Sequence, residues 1–310
     1  MTKINCIFCD IPSEKVVAEE NGFTAVECPA CKLVYISCPP DKKELQELYT
    51  RDHAHVSAQG HIADTKMPRW YEKHHLKILR RFKKSGSILE IGPGGGTFLE
   101  EARSAGFKVF AVEPNPAQAE YITHTLHIPC EATDICNSSF PNKSFDIIYH
   151  RDVTGHFYDP IAAFTKMRAL LNDTGVLVFE TGFYGEDRYM PLFMNHQFPD
   201  HLFTFSEKSI QHLLSRSGFS TIASYRYSSV PVLFFRKLMQ PLLDSLKSKT
   251  SKSSSPHNGS SRTNNTILLL LKGLHFTICH FLRYKVGSIA SKKGRPQKMI
   301  LIAQKVPDIQ

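Results

Sequence analysis

The chain has 310 residues, 42% of them hydrophobic and 22% charged, with 17 glycines and 18 prolines. That composition excludes a disordered, collagen-like or fibrous protein and leaves one large or two unequal globular domains. The net charge of +9 suggests an anionic partner, yet residues 228–310 hold 14 Lys and Arg against 2 Asp and Glu, while residues 1–227 hold 24 against 27. The basic character therefore belongs to the C-terminal quarter alone.

The chain opens MTKINCIFCD, with no apolar run ahead of a small-residue cleavage site, so a secretory leader is not expected. Eight cysteines occur, and four form two C-x-x-C pairs, Cys6/Cys9 and Cys28/Cys31, separated by eighteen residues. Paired C-x-x-C motifs in a chain expected to stay in a reducing cytoplasm read as metal ligation rather than disulfides. Four thiolates satisfy the tetrahedral preference of Zn²⁺ and leave no open position, so the ion is expected to be structural. A redox dithiol needs only one such pair. Cys38, Cys130, Cys136 and Cys279 read as small buried hydrophobes.

Lys15 to Glu27 reads as two short strands joined by Asn21-Gly22, a favoured hairpin turn, which gives the build of a zinc ribbon. Up to Gly60 the segment holds 6 Lys and Arg against 9 Asp and Glu, the wrong sign for reading nucleic acid. The ribbon is expected instead to pack on, or help shape, the substrate side of a larger domain. A strand (Lys32–Cys38) ends at Pro39-Pro40, and Lys42 to Tyr49 has helical spacing. His53, His55 and His61 follow in a polar linker, where a second metal site and a simple connector fit equally well.

Residues 70 to 84 set Tyr71, His75, Leu76, Leu79 and Phe82 on one helical face. Then a strand (Ile88–Ile91), a glycine turn (Gly92, Gly94, Gly95, Gly96) and a helix (Thr97–Ala105) follow in that order. Glycines permit the turn and let backbone N–H groups approach a ligand at a helix N-terminus. Glu90 stands two positions before the first glycine, and the next strand (Lys108–Val112) ends in Glu113, an acid able to accept both hydroxyls of a ribose.

These residues resemble the first motif of class I S-adenosylmethionine-dependent methyltransferases, acid-x-Gly-x-Gly-x-Gly, met by Glu90-Ile-Gly92-Pro-Gly94-Gly95-Gly96. The resemblance continues through Glu131–Ile135, Phe145–Pro160, Leu170–Thr181 and His201–Phe219. It implies that Glu90 lies near the methionine amino group, that Gly92, Gly94 and Gly96 pass under S-adenosylmethionine, that Glu113 holds the ribose and that Asp134 contacts the adenine. A zinc ribbon followed by C-x-L-V-Y and Pro-Pro is similar, more narrowly, to the subgroup that includes the sugar C-methyltransferases. The fold expected is α/β, a Rossmann-like seven-stranded methyltransferase sheet with a small N-terminal zinc ribbon and a helical insertion before the last strand.

In this fold the loop after the fourth strand faces the methyl group, so His150, Arg151, Asp152 and His156 are the first catalytic candidates. His156 matches the histidine of the family's frequent Glu-His pair, but Gly155 stands where the Glu is usual, which removes a base or an orienting partner. His196, His201 and Tyr184 fall where the acceptor pocket is usually lined. The residues expected to act in catalysis are His156, His201 and Tyr184. The chain has His150-Arg151-Asp152-Val153 where methyltransferases of base exocyclic amines often carry Asn/Asp-Pro-Pro-aromatic, so nucleobase methylation is not expected.

Phe219–Tyr227 and Lys298–Gln304 read as arms of the closing antiparallel hairpin, with seventy residues between them, far beyond an ordinary hairpin loop. This insertion contains two apolar segments and a Ser-rich stretch, Ser248 to Asn265. In its second segment Lys272, His275, Cys279 and Arg283 fall on one helical face. One reading has two helices capping the core; another has a patch that contacts an anionic membrane through residues 228–297. The domains expected are 1–40 (ribbon), 41–84 (lead-in helices), 85–227 (methyltransferase core), 228–297 (insertion) and 298–310 (closing strand and tail). The function expected is methyl transfer to carbon or oxygen of a small molecule: a sugar, a nucleotide-sugar, or an envelope or secondary-metabolite intermediate. Nucleic acid is not the expected partner. The alternatives are a zinc-ribbon RNA methyltransferase and a catalytically silent cofactor- or partner-binding protein.

Overall fold

The computed structural model describes residues 3–50, 60, 62, 67–182, 197–251, 260–291 and 298–307. β1 (Lys15–Glu20) and β2 (Phe23–Glu27) pair antiparallel across Asn21 and Gly22. Both turn residues have positive φ, 54° and 81°, as the tight hairpin turn demands. β3 (Val34–Ile36) joins β2, and all three of its residues are buried. α1 (Lys42–Thr50) starts at a capping box: the Glu44 amide donates to Asp41 Oδ1 and the Asp41 amide to Glu44 Oε2, each at 2.8 Å.

α2 (Trp70–Leu79) buries the expected face, Tyr71, His75, Leu76 and Leu79. It stops five residues short of the expected Lys84, because the Arg81 and Phe82 amides fold back onto the Ile78 and Leu79 carbonyls. This tight turn brings the chain around into β4 (Ser87–Ile91). Then come α3 (Thr97–Ser104), β5 (Lys108–Val112), α4 (Pro116–Glu120), β6 (Cys130–Glu131) and β7 (Phe145–Arg151). α5 (Pro160–Leu170) is capped by Asp159, which accepts from the Ala162 amide at 2.9 Å, with Pro160 in the first turn. It runs directly into β8 (Leu171–Gly182). β9 (Phe203–Thr204) and α6 (Glu207–Arg216), the latter capped by Ser206, precede β10 (Phe219–Tyr227). α7 (Val230–Ser251), α8 (Ser260–Phe281) and the short α9 (Gly287–Ala290) form the insertion, and β11 (Lys298–Lys305) closes the fold.

The large sheet has the order β10-β11-β8-β7-β4-β5-β6. β4 to β8 run parallel, and β11 lies antiparallel between β8 and β10. This is the expected seven-stranded sheet, with the closing hairpin and the inserted helices in the expected positions. The chain leaves β4 toward β5 on one side and reaches β7 on the other. The crevice at the carboxyl end of β4 is therefore the switch point where open α/β sheets bind ligands.

The second sheet, β1-β2-β3-β9, takes its last strand from the core, with Tyr35 opposite Phe203 and Val34 opposite Thr204. Around this seam Ser206 Oγ donates to the Cys31 carbonyl and Lys208 Nζ to the Ala30 carbonyl, both at 2.7 Å. One continuous apolar cluster holds Cys28, Cys31, Leu33 and Ile36 together with Phe164, Phe179, Phe205 and Leu213. Phe205 is almost fully buried in it. Phe205→Ala is expected to cost about 3–5 kcal/mol. Denaturant unfolding followed by both near- and far-ultraviolet circular dichroism should still show one transition, at a lower midpoint, because ribbon and core share this cluster.

Candidate active site

The glycine turn has the backbone the sequence called for. Gly92, Gly94 and Gly96 take φ of 64°, 58° and 71°, the left-handed region that side chains disfavour. A Cβ on Gly92 would come within 2.9 Å of Val153, and one on Gly96 within 2.5 Å of Leu126. The turn is thus walled in by the loop after β7 at Gly92 and by Leu126, ahead of β6, at Gly96. Glu90 is buried, and its Oε2 has no hydrogen-bond partner among the described residues. Burial pushes its carboxyl up to about 8, with Arg151 opposing and Glu72 and Glu113 adding to the rise. Glu113 accepts from the Asn115 amide at 2.9 Å and the Gly94 amide at 3.3 Å, and burial pushes it up to about 7. Two buried acids beside a glycine turn at a helix N-terminus form a cradle suited to a ligand carrying an ammonium and hydroxyl donors.

Asp134 follows β6, the edge strand of the large sheet. It caps the short turn Ile135–Asn137, accepting from Asn137, and stands 3.7 Å from Lys42. Between α2, α3 and β7, Glu72 accepts from Thr97 at 3.1 Å and from Arg151 at 3.3 Å. Deeper, Glu180 near the end of β8 is fully buried, and its Oε2 accepts from Tyr284 at 2.9 Å and meets His75 Nε2 at 3.0 Å. Tyr149 OH reaches the other nitrogen of that ring at 2.9 Å. Burial opposes ionisation of Glu180, but His75 with Lys298 and Arg283 holds its carboxyl well below the usual range. The insertion thereby contributes Tyr284 and Arg283 to the wall of the core beside the crevice. Sequence reasoning missed Glu72, Glu180 and Tyr149 as members of this network, since helix, strand and insertion meet only in three dimensions.

The loop after β7 brings His156 and His201 together, with ring centroids 4.3 Å apart. The His156 Nδ1 lies 2.8 Å from the Asp200 carbonyl and 3.3 Å from Asp200 Oδ1. A carbonyl only accepts, so Nδ1 carries the hydrogen and Nε2 keeps a lone pair. Burial opposes the His156 imidazolium, but the Asp200 hydrogen bond and charge hold its pKa above the ordinary histidine value. His201 is pushed down to about 4, by burial and then by the His156 charge. Asp200 escaped the sequence analysis, although it stands beside His201. It offers the orienting carboxylate that Gly155 lacks. Gly155 has its own reason: a Cβ there would come within 2.6 Å of the Phe203 carbonyl and 3.1 Å of His201.

Not every candidate lies at the site. His150 is fully buried on the other face of β7, stacked on Phe179 at 5.1 Å, with neither ring nitrogen hydrogen-bonded among the described residues. Burial pushes its pKa down to about 3, so it is a neutral core residue. Strand alternation explains this, since Tyr149 and Arg151 take the site face. Asp152 is ion-paired with Lys298. Tyr184, His196, His53, His55 and His61 lie outside the described residues. Of the scattered cysteines only Cys279 is buried, while Cys136 is exposed and Cys38 and Cys130 are intermediate. A cleft lined by Gly86, Ser87, Phe110 and Phe140 opens at the amino-terminal edge of the sheet, remote from the glycine turn.

The cysteines do converge. The sulfurs of Cys6, Cys9, Cys28 and Cys31 lie within 4.8 Å of one another, and those of Cys6 and Cys31 are 3.5 Å apart. Tetrahedral Zn–S bonds of about 2.3 Å would set sulfurs about 3.8 Å apart, so the cluster fits the ion.

Fold and site define a class I methyltransferase architecture, and the match to known proteins agrees. The family described as Methyltransferase domain matches residues 63–224, just over half of the chain, so the chain belongs to that family. It is 24% identical over 162 residues to a 2-methyl-6-phytyl-1,4-hydroquinone methyltransferase of Synechocystis, covering 47% of this chain and 49% of the relative. The chain thus spans about half the length of the curated relative it matches. Among solved structures, phosphoethanolamine N-methyltransferase 2 of Haemonchus contortus in complex with S-adenosyl-L-methionine superposes with a TM-score of 0.53 at 15% identity, covering 88% of this chain and 62% of that one. A putative sarcosine dimethylglycine methyltransferase of Galdieria sulphuraria gives 0.50 at 15% identity, covering 77% and 86%. At such identities these likenesses concern the fold.

The raised carboxyls of Glu90 and Glu113 give a measurable consequence. Both hold protons at a pH below their values of about 8 and 7, and a ligand ammonium favours the ionised form. Binding of S-adenosylmethionine at such a pH is therefore expected to release protons. Calorimetry in two buffers with different ionisation heats measures the release, and Glu90→Gln should reduce it. An enthalpy independent of the buffer would contradict the assignment.

Proposed function

We propose that the chain is an S-adenosylmethionine-dependent methyltransferase that acts on carbon or oxygen of a small molecule and uses His156 as its general base. The observation that carries the base is the Nδ1 contact to the Asp200 carbonyl, which fixes the tautomer whose lone pair is on Nε2. In the cofactor cleft Glu90 would accept the methionine ammonium, the turn at Gly92, Gly94 and Gly96 would let the cofactor approach its backbone, Glu113 would accept the ribose hydroxyls, and Asp134 would accept from the adenine amine. The sulfonium of that cofactor supplies the methyl group. His156 Nε2 would take the proton that the acceptor's oxygen or carbon loses as it gains the methyl group, the sulfonium being left as a neutral thioether. Asp200 stabilises the imidazolium that forms, and His201 stays neutral beside it, lining the acceptor.

The acceptor class we favour is a sugar, a nucleotide-sugar, or an envelope or secondary-metabolite intermediate. The cysteine-rich N-terminus supports the resemblance to the sugar C-methyltransferase subgroup. Cys6, Cys9, Cys28 and Cys31 hold a structural Zn²⁺, and eight cysteines without a disulfide suit a cytoplasmic setting. The ion would tighten the loops on either side of β1 and β2 and, through β3, the loop bearing Asp200 and His201.

His156→Ala is expected to lower kcat by about 10²–10⁴-fold, with S-adenosylmethionine affinity unchanged in calorimetry. Asp200→Asn removes the group that raises the His156 pKa. The acid limb of the kcat/KM profile, where the base becomes protonated, should then move to lower pH. A limb that stays in place would argue for a different base. Metal analysis of the purified chain is expected to find zinc, and Cys28→Ser should lose it and lower both the melting temperature and kcat. Absent S-adenosylmethionine binding by the parent would overturn the methyl-transfer reading.

A further inference from the structure

The insertion turns His275, Cys279 and Arg283 toward neighbouring elements, while Lys272 of the same stripe is exposed. In α8, Cys279 is buried, His275 stacks on Phe235 of α7 with centroids 5.5 Å apart, and the Arg283 guanidinium just beyond the helix lies over Tyr71 at 5.1 Å. Tyr284 next to it donates to Glu180. A helix seated on a core normally buries its apolar side and leaves such polar residues in water.

What remains outside includes two apolar stripes. Leu274 and Phe281, seven residues apart on α8, are 58% and 55% exposed, and Leu271 continues the same stripe. On α7, Phe234 and Leu238, four residues apart, are 63% and 68% exposed. The Phe235–His275 stack joins the two helices between these stripes. Isolated exposed apolar residues are ordinary, but adjacent stripes on two touching helices mark an interaction surface. Around them Arg236, Lys237, Lys272 and Lys285 are exposed. Residues 228–297 carry 12 Lys and Arg against the single acid Asp244.

We propose that this face of α7 and α8 docks in the plane of an anionic bilayer, with Phe234, Leu238, Leu271, Leu274 and Phe281 at the headgroup boundary and the flanking cations on lipid phosphates. Apolar stripes interleaved with cations are the features of an interfacial helix pair. Among the described residues no helix is long and apolar enough to cross a membrane, so the contact lies along the surface. A second copy of the chain would cover the apolar stripes only by bringing two strongly basic surfaces together. RNA would satisfy the cations and could stack on Phe234 and Phe281, yet it would leave Leu238, Leu271 and Leu274 exposed to water.

Flotation of the full chain with phosphatidylcholine vesicles, with and without phosphatidylglycerol, tests the proposal. The parent should bind the anionic vesicles at low salt and weaken as salt screens the cations. The double variant Phe234→Asp/Leu274→Asp should bind them at least about ten-fold less, while calorimetric S-adenosylmethionine affinity stays at the parent level and shows that the fold is intact. No binding by the parent, or undiminished binding by the variant, would overturn it. So would light scattering that finds a parent dimer made monomeric by the same substitutions, or RNA binding lost in parallel with them. If the parent fails to bind S-adenosylmethionine yet floats with vesicles, the methyl-transfer reading fails and the docking surface stands.

Discussion

The pairing of β3 with β9 joins two regions that lie far apart in the chain, and the candidate site depends on it. β9 is only Phe203–Thr204, too short to hold its own place by hydrogen bonds. It gains position from Tyr35 and Val34 opposite, from the Ile36 amide on the Leu202 carbonyl, and from Ser206 on the Cys31 carbonyl. The residues before it, Asp200 and His201, are those that meet His156. The Leu202 amide also donates to the Gly155 carbonyl at 2.9 Å, so the loop after β7 is fastened to the same strand. A small cysteine-rich sheet thereby sets the distance between a histidine and its carboxylate in the core. Ordering a two-residue strand costs conformational entropy, and the buried cluster around Phe205 offsets that cost.

The site is divided electrostatically. At the glycine turn, burial leaves two acids with raised pKa values and few internal cations, a state that favours binding of a positive group. One layer away, Glu180 is surrounded by His75, Tyr284, Arg283 and Lys298 and stays charged. The difference is the number of internal donors rather than the depth of burial. The two imidazoles likewise diverge: Asp200 raises His156, whereas burial and then the His156 charge depress His201.

Local signals made much of this legible. The two C-x-x-C pairs, the Asn21-Gly22 turn, the Glu90-to-Gly96 motif and the two arms of the closing hairpin are written in adjacent residues, and each folds as its local chemistry directs. Residues whose roles arise from long-range packing were harder to read. Asp200 gains meaning only when β9 pairs with β3, and Glu180 only when the insertion supplies Tyr284. His150 was legible in principle, because alternation along β7 assigns it and Tyr149 to opposite faces. The face that α8 buries mixes apolar and polar residues, Phe276 meeting Tyr71 edge-on at 4.9 Å while His280 and, just beyond the helix, Tyr284 meet the aromatic and polar groups Tyr71, His74 and Glu180.

Tyr227 and Lys298 sit opposite each other at the ends of β10 and β11. Directly paired antiparallel residues lie about 5 Å apart, so residues 228–297 leave the sheet and return through what is effectively one doorway. The cost of closing such an excursion grows only with the logarithm of its length. The excursion is therefore a slot in which the chain can gain or lose whole helices while the strand register on either side is unchanged. Of its inner face, Arg283 and Tyr284 are tied to the core wall through Glu180. Selection can rewrite its outer surface with little effect on the glycine turn.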